Sequence, residues 1–132
     1  MRYMLDTNTF VYLIKYRPAE VLEMMKQVDP SDICISSVTY SEISYAIERG
    51  AAAGRNRIAL VLLLSGISVL PFDDRAACEY GMIKSELEKS EIPIGPLNTM
   101  IAAHARSAGC TLVTSNIREF KRVRNIRIEQ WV

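Results

Sequence analysis

The sequence predicts an α/β fold, a central and mostly parallel sheet covered by helices on both faces, and three observations carry that prediction. Short apolar runs of strand length alternate with longer segments of helical period. Proline, glycine and capping residues mark the boundaries between them. The 132 residues suffice for one core, so a single domain over residues 1–132 is expected, without linker, internal repeat or low-complexity tract. Strands alternating with helices connect through right-handed crossovers, which cover a parallel sheet on both sides.

Each element has its own warrant. "RYML" (2–5) reads as a short strand and "TNTFVYLIKY" (7–16) as the first helix, stopped before Pro18, which opens a second helix reaching Val28. "DICIS" (32–36) is the next strand, and Ser36 or Ser37 is a natural N-cap for a helix running to the Gly50–Gly54 region. Asn56 to Leu64 reads as helical, and "ISVLPF" (67–72) as a strand that ends at Pro71. Asp73 or Asp74 then caps a long amphipathic helix through Lys89, in which Ala76, Ala77, Tyr80, Ile83 and Leu87 recur at helical spacing. After the turn "EIPIGP" (91–96), Pro96 suits a first helical position and "LNTMIAAHARSAG" (97–109) is a helix closed by Gly109. "CTLVTS" (110–115) is another strand, and "IRIEQW" (126–131) a last short one.

Composition narrows the function classes. Hydrophobic residues make up 49% and charged residues 23%, a globular balance rather than a disordered one. Only Met4 and Leu5 separate Tyr3 from Asp6, so a secretory leader is not expected, and "IALVLLLSGISVL" is broken by Ser65, Gly66 and Ser68 and too short to span a bilayer. Cys34, Cys78 and Cys110 lack metal-ligand spacing and are expected to be reduced core thiols of a cytoplasmic protein. The net charge of +1 gives no long-range basic field; basic character is local, in "REFKRVRNIR" (118–127) and "ERGAAAGRNR" (48–57).

In open parallel sheets, sites lie beyond the carboxyl ends of the strands. Asp6 follows the first strand directly; Ser36 and Ser37 follow the second, with Glu42 in the first turns of the next helix. Thr114, Ser115 and Asn116 follow the strand "TLV", with Glu119 one turn on, and Asn98 lies near the start of its helix. Polar groups from most of the chain therefore converge. A carboxylate ending a buried strand is costly to desolvate, and several together repel one another unless a cation joins them. Oxygen ligands suit a hard divalent ion, most simply Mg²⁺ or Mn²⁺, the usual equipment for displacement at phosphorus.

The chain resembles the PIN-domain nucleases, and within them the VapC toxins of bacterial VapBC toxin–antitoxin systems. "MLDTN" (4–8), "ISSVTYSEI" (35–43), "IPIGPLNTMIAAHA" (92–105), "LVTSNIREF" (112–120) and a terminal "EQW" carry the resemblance, in the family's order and spacing. It implies a PIN-like three-layer α/β/α fold, a metal-dependent endoribonuclease, a VapB-type antitoxin partner and a homodimer within a larger toxin–antitoxin complex. It also implies structured RNA as substrate, which for several members is initiator tRNA cut in its anticodon stem-loop. Carried over by position, Asp6 is the first metal-site carboxylate, Glu42 the second, residue 98 the third, and the 116–119 segment supplies the fourth polar member. Thr7, Asn8 and Ser115 would orient these groups or a metal-bound water.

Two positions depart from the family pattern, where aspartate stands at 98 and is common at 116; here they are Asn98 and Asn116. At 98, asparagine keeps the shape and one oxygen but loses the charge, so weakened metal binding and strongly reduced cleavage are expected; 116 is the softer departure. Glu119 either supplies the missing charge or pairs with Arg118 or Lys121. Asp6 also serves as a helix N-cap, which is compatible with ligation. Val38, Tyr45 and Ala46 at helical spacing place Glu42 beside a buried face. His104, six residues from Asn98, falls on another helix face and reads as a packed or surface histidine. Two alternatives stay open: an inactive module that binds RNA or antitoxin, and a phosphatase with Asp6 as nucleophile. An antitoxin is expected to push an arginine or lysine toward Asp6 and Glu42, and RNA to approach through the local basic residues.

Overall fold

A computed structural model of the chain describes residues 2–16 and 18–132. Its sheet contains β1 (Tyr3–Leu5), β2 (Ile33–Ser36), β3 (Ser68–Leu70), β4 (Thr111–Val113) and β5 (Arg127–Glu129), in the order β3-β2-β1-β4-β5. Every pairing is parallel, so the sheet is parallel throughout rather than mostly so. The helices are α1 (Thr7–Tyr16), α2 (Ala19–Lys26), α3 (Ser37–Arg49), α4 (Ala53–Leu64), α5 (Asp74–Lys89), α6 (Pro96–Ser107) and the short α7 (Ile117–Phe120).

The strands are short apolar runs because both faces are covered. Met4, Cys34 and Leu112 face one way, into a cluster with Ile83, Ile101, Ala102 and Phe120 from α5, α6 and α7. Leu5, Ile33, Ile35 and Val113 face the other way, against Phe10, Leu13, Ile43 and Leu60 from α1, α3 and α4. Each such fully buried large side chain contributes about 1.5–3 kcal/mol. From β1 the chain steps outward to β2 and β3, then returns across the sheet to place β4 on the other side of β1. The carboxyl ends of β1 and β4 therefore flank the point where strand order reverses, which is where an open sheet leaves a crevice.

The caps fall where the sequence places them. Ser36 Oγ accepts from Val38 N at 3.0 Å, Asp73 Oδ1 accepts from Ala76 N at 3.0 Å, and Gly109, just beyond α6, has φ of 68°. The last turn of α2 tightens, with Gln27 N and Val28 N bonding three residues back, so that helix ends two residues before Val28. Helix α4 begins at Ala53 rather than Asn56, because a glycine such as Gly54 is tolerated in a first turn. Helix α7 has four residues, too few for any periodicity to announce it.

Three expectations about the core need correction. Ala77 is exposed while Ala76, Ile83 and Leu87 are buried, since the inward stripe of α5 is narrower than the apolar spacing implies. Cys78 lies on that same solvent side, whereas Cys34 and Cys110 are buried free thiols. Cys34 stands on β2 and Cys110 immediately ahead of β4, with β1 between them. Their thiols meet across β1, the contact with Cys110 together with burial pushing the Cys34 thiol up and the contact with Cys34 drawing the Cys110 thiol down to about 7. Tyr45 and Ala46 are exposed, the Tyr45 ring lying under the Arg49 guanidinium, so the buried side of α3 is formed by Val38, Thr39 and Ile43. Among the described residues no helix is long and apolar enough to cross a membrane.

His104 is a packed histidine, 3% exposed, with Nδ1 2.7 Å from Ser36 Oγ and its ring edge against Phe72. It joins α6 to the residue that caps α3. Burial lowers its pKa from the ordinary 6.5, against the pull of Asp73, so the neutral ring is the folded form. The stability tied to that neutral ring is present in full above about pH 6.5 and is lost as the pH falls below it toward the depressed folded value. The midpoint of thermal unfolding should therefore drop between pH 7.5 and pH 5.5, above the carboxylate range, and His104→Gln should flatten that drop. Equal slopes in the two proteins would contradict it.

Candidate active site

The parallel register sets Leu5 beside Val113, so the next residues, Asp6 and Thr114, leave the sheet side by side. Asp6 N donates to Val113 O at 3.0 Å, continuing the ladder by one bond. The Asp6 carboxylate, only 3% exposed, accepts from Thr9 N at 2.9 Å on Oδ1 and from the Thr114 hydroxyl at 2.6 Å on Oδ2. The first bond is an N-cap of α1; the second reaches across to β4. Thr114 in turn accepts from Asn116 N at 2.9 Å, and the Asn116 amide donates to Glu119 Oε2 at 2.6 Å. Asp6, Thr114, Asn116 and Glu119 thus form one continuous chain of hydrogen bonds.

A second set begins at the neighbouring residue. The Thr7 hydroxyl donates to Glu42 Oε1 at 2.6 Å and lies 3.1 Å from Thr39 Oγ1. Thr39 and Glu42 are three apart on α3, so one helix face presents both to Thr7. Since Asp6 and Thr7 are consecutive, Glu42 is brought beside the same sheet edge from a helix 35 residues away. Asn98 is the third residue of α6 and half-buried; its amide makes no hydrogen bond among the described residues. Arg122 Nη1 donates to Pro93 O at 3.2 Å, fastening the segment that leads into α6 to the segment that follows α7.

Of the residues expected to orient the site, Thr7 does hold a carboxylate. Asn8 and Ser115 are exposed and make no side-chain hydrogen bond among the described residues. Thr114 holds Asp6, and Thr39 hydrogen-bonds the Thr7 hydroxyl that holds Glu42. Thr39 sits one turn before Glu42, a spacing visible in the sequence; the choice of Thr114 over Ser115 needs the register. Glu119 pairs with Asn116 and not with Arg118 or Lys121.

The electrostatics are one-sided. Among the described residues the ion pairs are Lys26–Glu23, Arg57–Glu48 and Arg106–Glu79, so Asp6, Glu42 and Glu119 have no basic partner. Nor does any group of three or more His, Cys, Asp or Glu side chains lie close enough to hold an ion unaided, again among the described residues. The donors here are carboxylates, an amide and hydroxyls, which is the chemistry of a hard cation. Mg²⁺ is commonly held through only one or two protein carboxylates, and Asp6 with Glu42 meets that requirement.

A family model for the PIN domain matches residues 3–126. The chain belongs to the PIN-domain family, in its VapC branch. It is 41% identical to the tRNA(fMet)-specific endonuclease VapC of Salmonella typhimurium over 131 residues, covering 99% of this chain and 98% of the relative. It is 42% identical to ribonuclease VapC2 of Haemophilus influenzae over 132 residues, covering 100% and 99%. Among solved structures, a chain of the DNA-bound VapBC complex of Salmonella typhimurium superposes with a TM-score of 0.93 at 41% identity, over 100% of this chain and 99% of that one. A chain of VapBC2 from Rickettsia felis, bound to a promoter fragment, gives 0.94 at 34%, with full coverage of both. The five-stranded parallel sheet is thus the VapC fold, and the phosphatase alternative gives way to the family.

The hydrogen bond from Thr114 reaches a buried charge, and such bonds contribute about 1.5–3 kcal/mol. Thr114→Val, nearly isosteric, should lower the unfolding free energy by about that amount in urea titrations at neutral pH. A loss below about 0.5 kcal/mol, the range of an ordinary surface change, would show that Asp6 does not depend on it.

Proposed function

We propose that this chain is a divalent-metal-dependent endoribonuclease, the toxin of a VapBC-type pair, acting on structured RNA of the tRNA class and attenuated by Asn98 and Asn116. One observation carries the reading: Asp6, a nearly buried carboxylate, is linked through Thr114 and Asn116 to Glu119 and precedes Thr7, which holds Glu42, with no basic side chain paired to any of the three among the described residues. A site that withholds internal counter-charges is built for an external one. The relatives' names, among them a tRNA(fMet)-specific endonuclease, support RNA as the polyanion served.

Asp6, Glu42 and Asn98 would hold the ion, Mg²⁺ or Mn²⁺, with Glu119 completing the acidic edge. When bound, it supplies Lewis-acid stabilisation of the charge that develops during displacement at phosphorus. The protein's share is orientation. Thr9 N and Thr114 fix Asp6 with lone pairs to spare, Thr7 fixes Glu42 through Oε1 and leaves Oε2, and Asn116 fixes Glu119 through Oε2 and leaves Oε1. Aspartates at 98 and 116 would add two charges to these three.

The partner reading rests on the opposite chemistry. Between α1, α2 and α4 lies an apolar groove of about 300 Å³ lined by Phe10, Leu13, Leu22 and Leu63, and a second of about 410 Å³ opens between α1, α3 and α4. Ile58, Val61 and Leu62 of α4 are each more than 60% exposed. A VapB-type antitoxin would cover this face and deliver an arginine or lysine to Asp6 and Glu42, within a larger assembly of toxin homodimers in the cytoplasm. Non-cleaving binding is the second reading, favoured by the two asparagines.

Asn98→Asp discriminates between them. Loss of even an outer hydrogen-bond partner costs a metal site about 10–100-fold, so restoring a charged ligand should raise Mg²⁺-dependent cleavage of tRNA by about a hundredfold or more. Chelation should abolish it. Cleavage that stays flat would remove residue 98 from the site and favour the binding module.

A further inference from the structure

The chain holds two basic clusters, and the fold separates them. Helix α3 starts at the site edge and runs away from it, so Arg49 lies about 18 Å along the axis from Ser37. That cluster is also partly committed: Arg49 lies over Tyr45 and Arg57 pairs with Glu48. The other cluster begins at the site itself, since Arg118 is two residues past Asn116 and adjacent to Glu119.

From α7 onward this second segment follows a three-residue pattern. Phe120, Val123 and Ile126 pack into the core cluster on the α5–α6 side of the sheet. Arg118, Lys121 and Arg124, offset from them, are all exposed. The remaining basic residues act on backbone: Arg106 donates to Arg124 O at 3.0 Å, Arg122 to Pro93 O at 3.2 Å and Arg127 to Gly109 O at 2.6 Å. An apolar row anchored below and three clamps at the sides hold the segment, while Arg118, Lys121 and Arg124 make no ion pair among the described residues. Arg118, Lys121 and Arg124 follow one another at three-residue spacing, beginning beside an acidic site that cannot itself attract a polyanion and ending beside Glu86 and Lys89 of α5.

We propose that Arg118, Lys121 and Arg124 form a ridge that tracks the phosphate backbone of the RNA on one side of the scissile bond. The proposal deepens the ribonuclease reading and rests on it. It also divides labour along the molecule: the ridge supplies affinity without sequence information, and the acidic edge supplies chemistry.

Binding can be measured on the chain as it stands, without cleavage. Fluorescence anisotropy of labelled initiator tRNA, followed from 50 to 200 mM KCl, reads both affinity and its salt dependence. The triple variant Arg118→Ala, Lys121→Ala, Arg124→Ala should bind about tenfold or more weakly at 50 mM and reduce the slope of log K against log salt by about 2–3, near one per lost phosphate contact. Arg49→Ala with Arg55→Ala should change neither. An unchanged slope in the triple variant, or an equal loss in the distal pair, would overturn the ridge and leave the nuclease reading intact. Retained tRNA binding with lost antitoxin binding would reassign the ridge to the protein partner, overturning the proposal. Failure of the unaltered chain to bind tRNA at all would remove the ribonuclease reading together with the ridge.

Discussion

The hydrogen bonds to the Asp6 carboxylate are the constraint on which the rest of the site depends. One oxygen is held by the first turn of α1 and the other by the residue that ends β4, so a single side chain ties together the two strands that flank the crevice and the helix that leaves it. A carboxylate with 3% exposure survives there because both oxygens are satisfied, not because its charge is balanced. Satisfaction without neutralisation is the physical signature of the place. It permits the protein to fold while leaving Asp6, Glu42 and Glu119 without a basic partner among the described residues.

Capping and ligation are therefore two uses of one geometry. The N-terminus of α1 contributes a donor and the positive end of its dipole, which stabilise the anion in the absence of any ion. Thr7, one residue on, performs the same service for Glu42, and Asn116 for Glu119. Each carboxylate is held by a neutral donor. Neutral donors fix position without competing for the charge, whereas a lysine in any of these places would orient the carboxylate and occupy it at once.

How much of this was legible in the sequence follows from what is local. Strand runs, caps at Ser36 and Asp73, the stop at Gly109 and the aspartate ending β1 are short-range signals, and each stands where it was expected. The family resemblance added the pairing of Asp6 with Glu42, which no local rule supplies. What stayed hidden depends on register and on which side of a helix faces inward. Thr114 rather than Ser115 meets Asp6 because Leu5 aligns with Val113, a fact about strand pairing. Tyr45 points outward onto Arg49 although its spacing from Val38 is helical, because α3 buries a narrow stripe of which residue 45 is not part. The three-residue alternation of buried and basic side chains after α7 is written in the sequence, but its meaning required knowing that Phe120 and Val123 share a core.

The two asparagines can be read from the hydrogen bonds around them. Asn116 donates to Glu119 at 2.6 Å. An aspartate at 116 could not do so: two carboxylates at that separation do not both ionise without a cation between them. Glu119 would then have to turn away, take up a proton, or wait for a metal. Asparagine resolves the conflict internally and removes the repulsion that would otherwise draw an ion in. At position 98 the same exchange places a neutral amide at a helix N-terminus, where an anion would have been favoured by the dipole. Both asparagines leave the site with less negative charge than aspartates at 98 and 116 would give it. Asp6, Glu42 and Glu119 each keep a neutral orienting donor, and for Glu119 that donor is Asn116 itself.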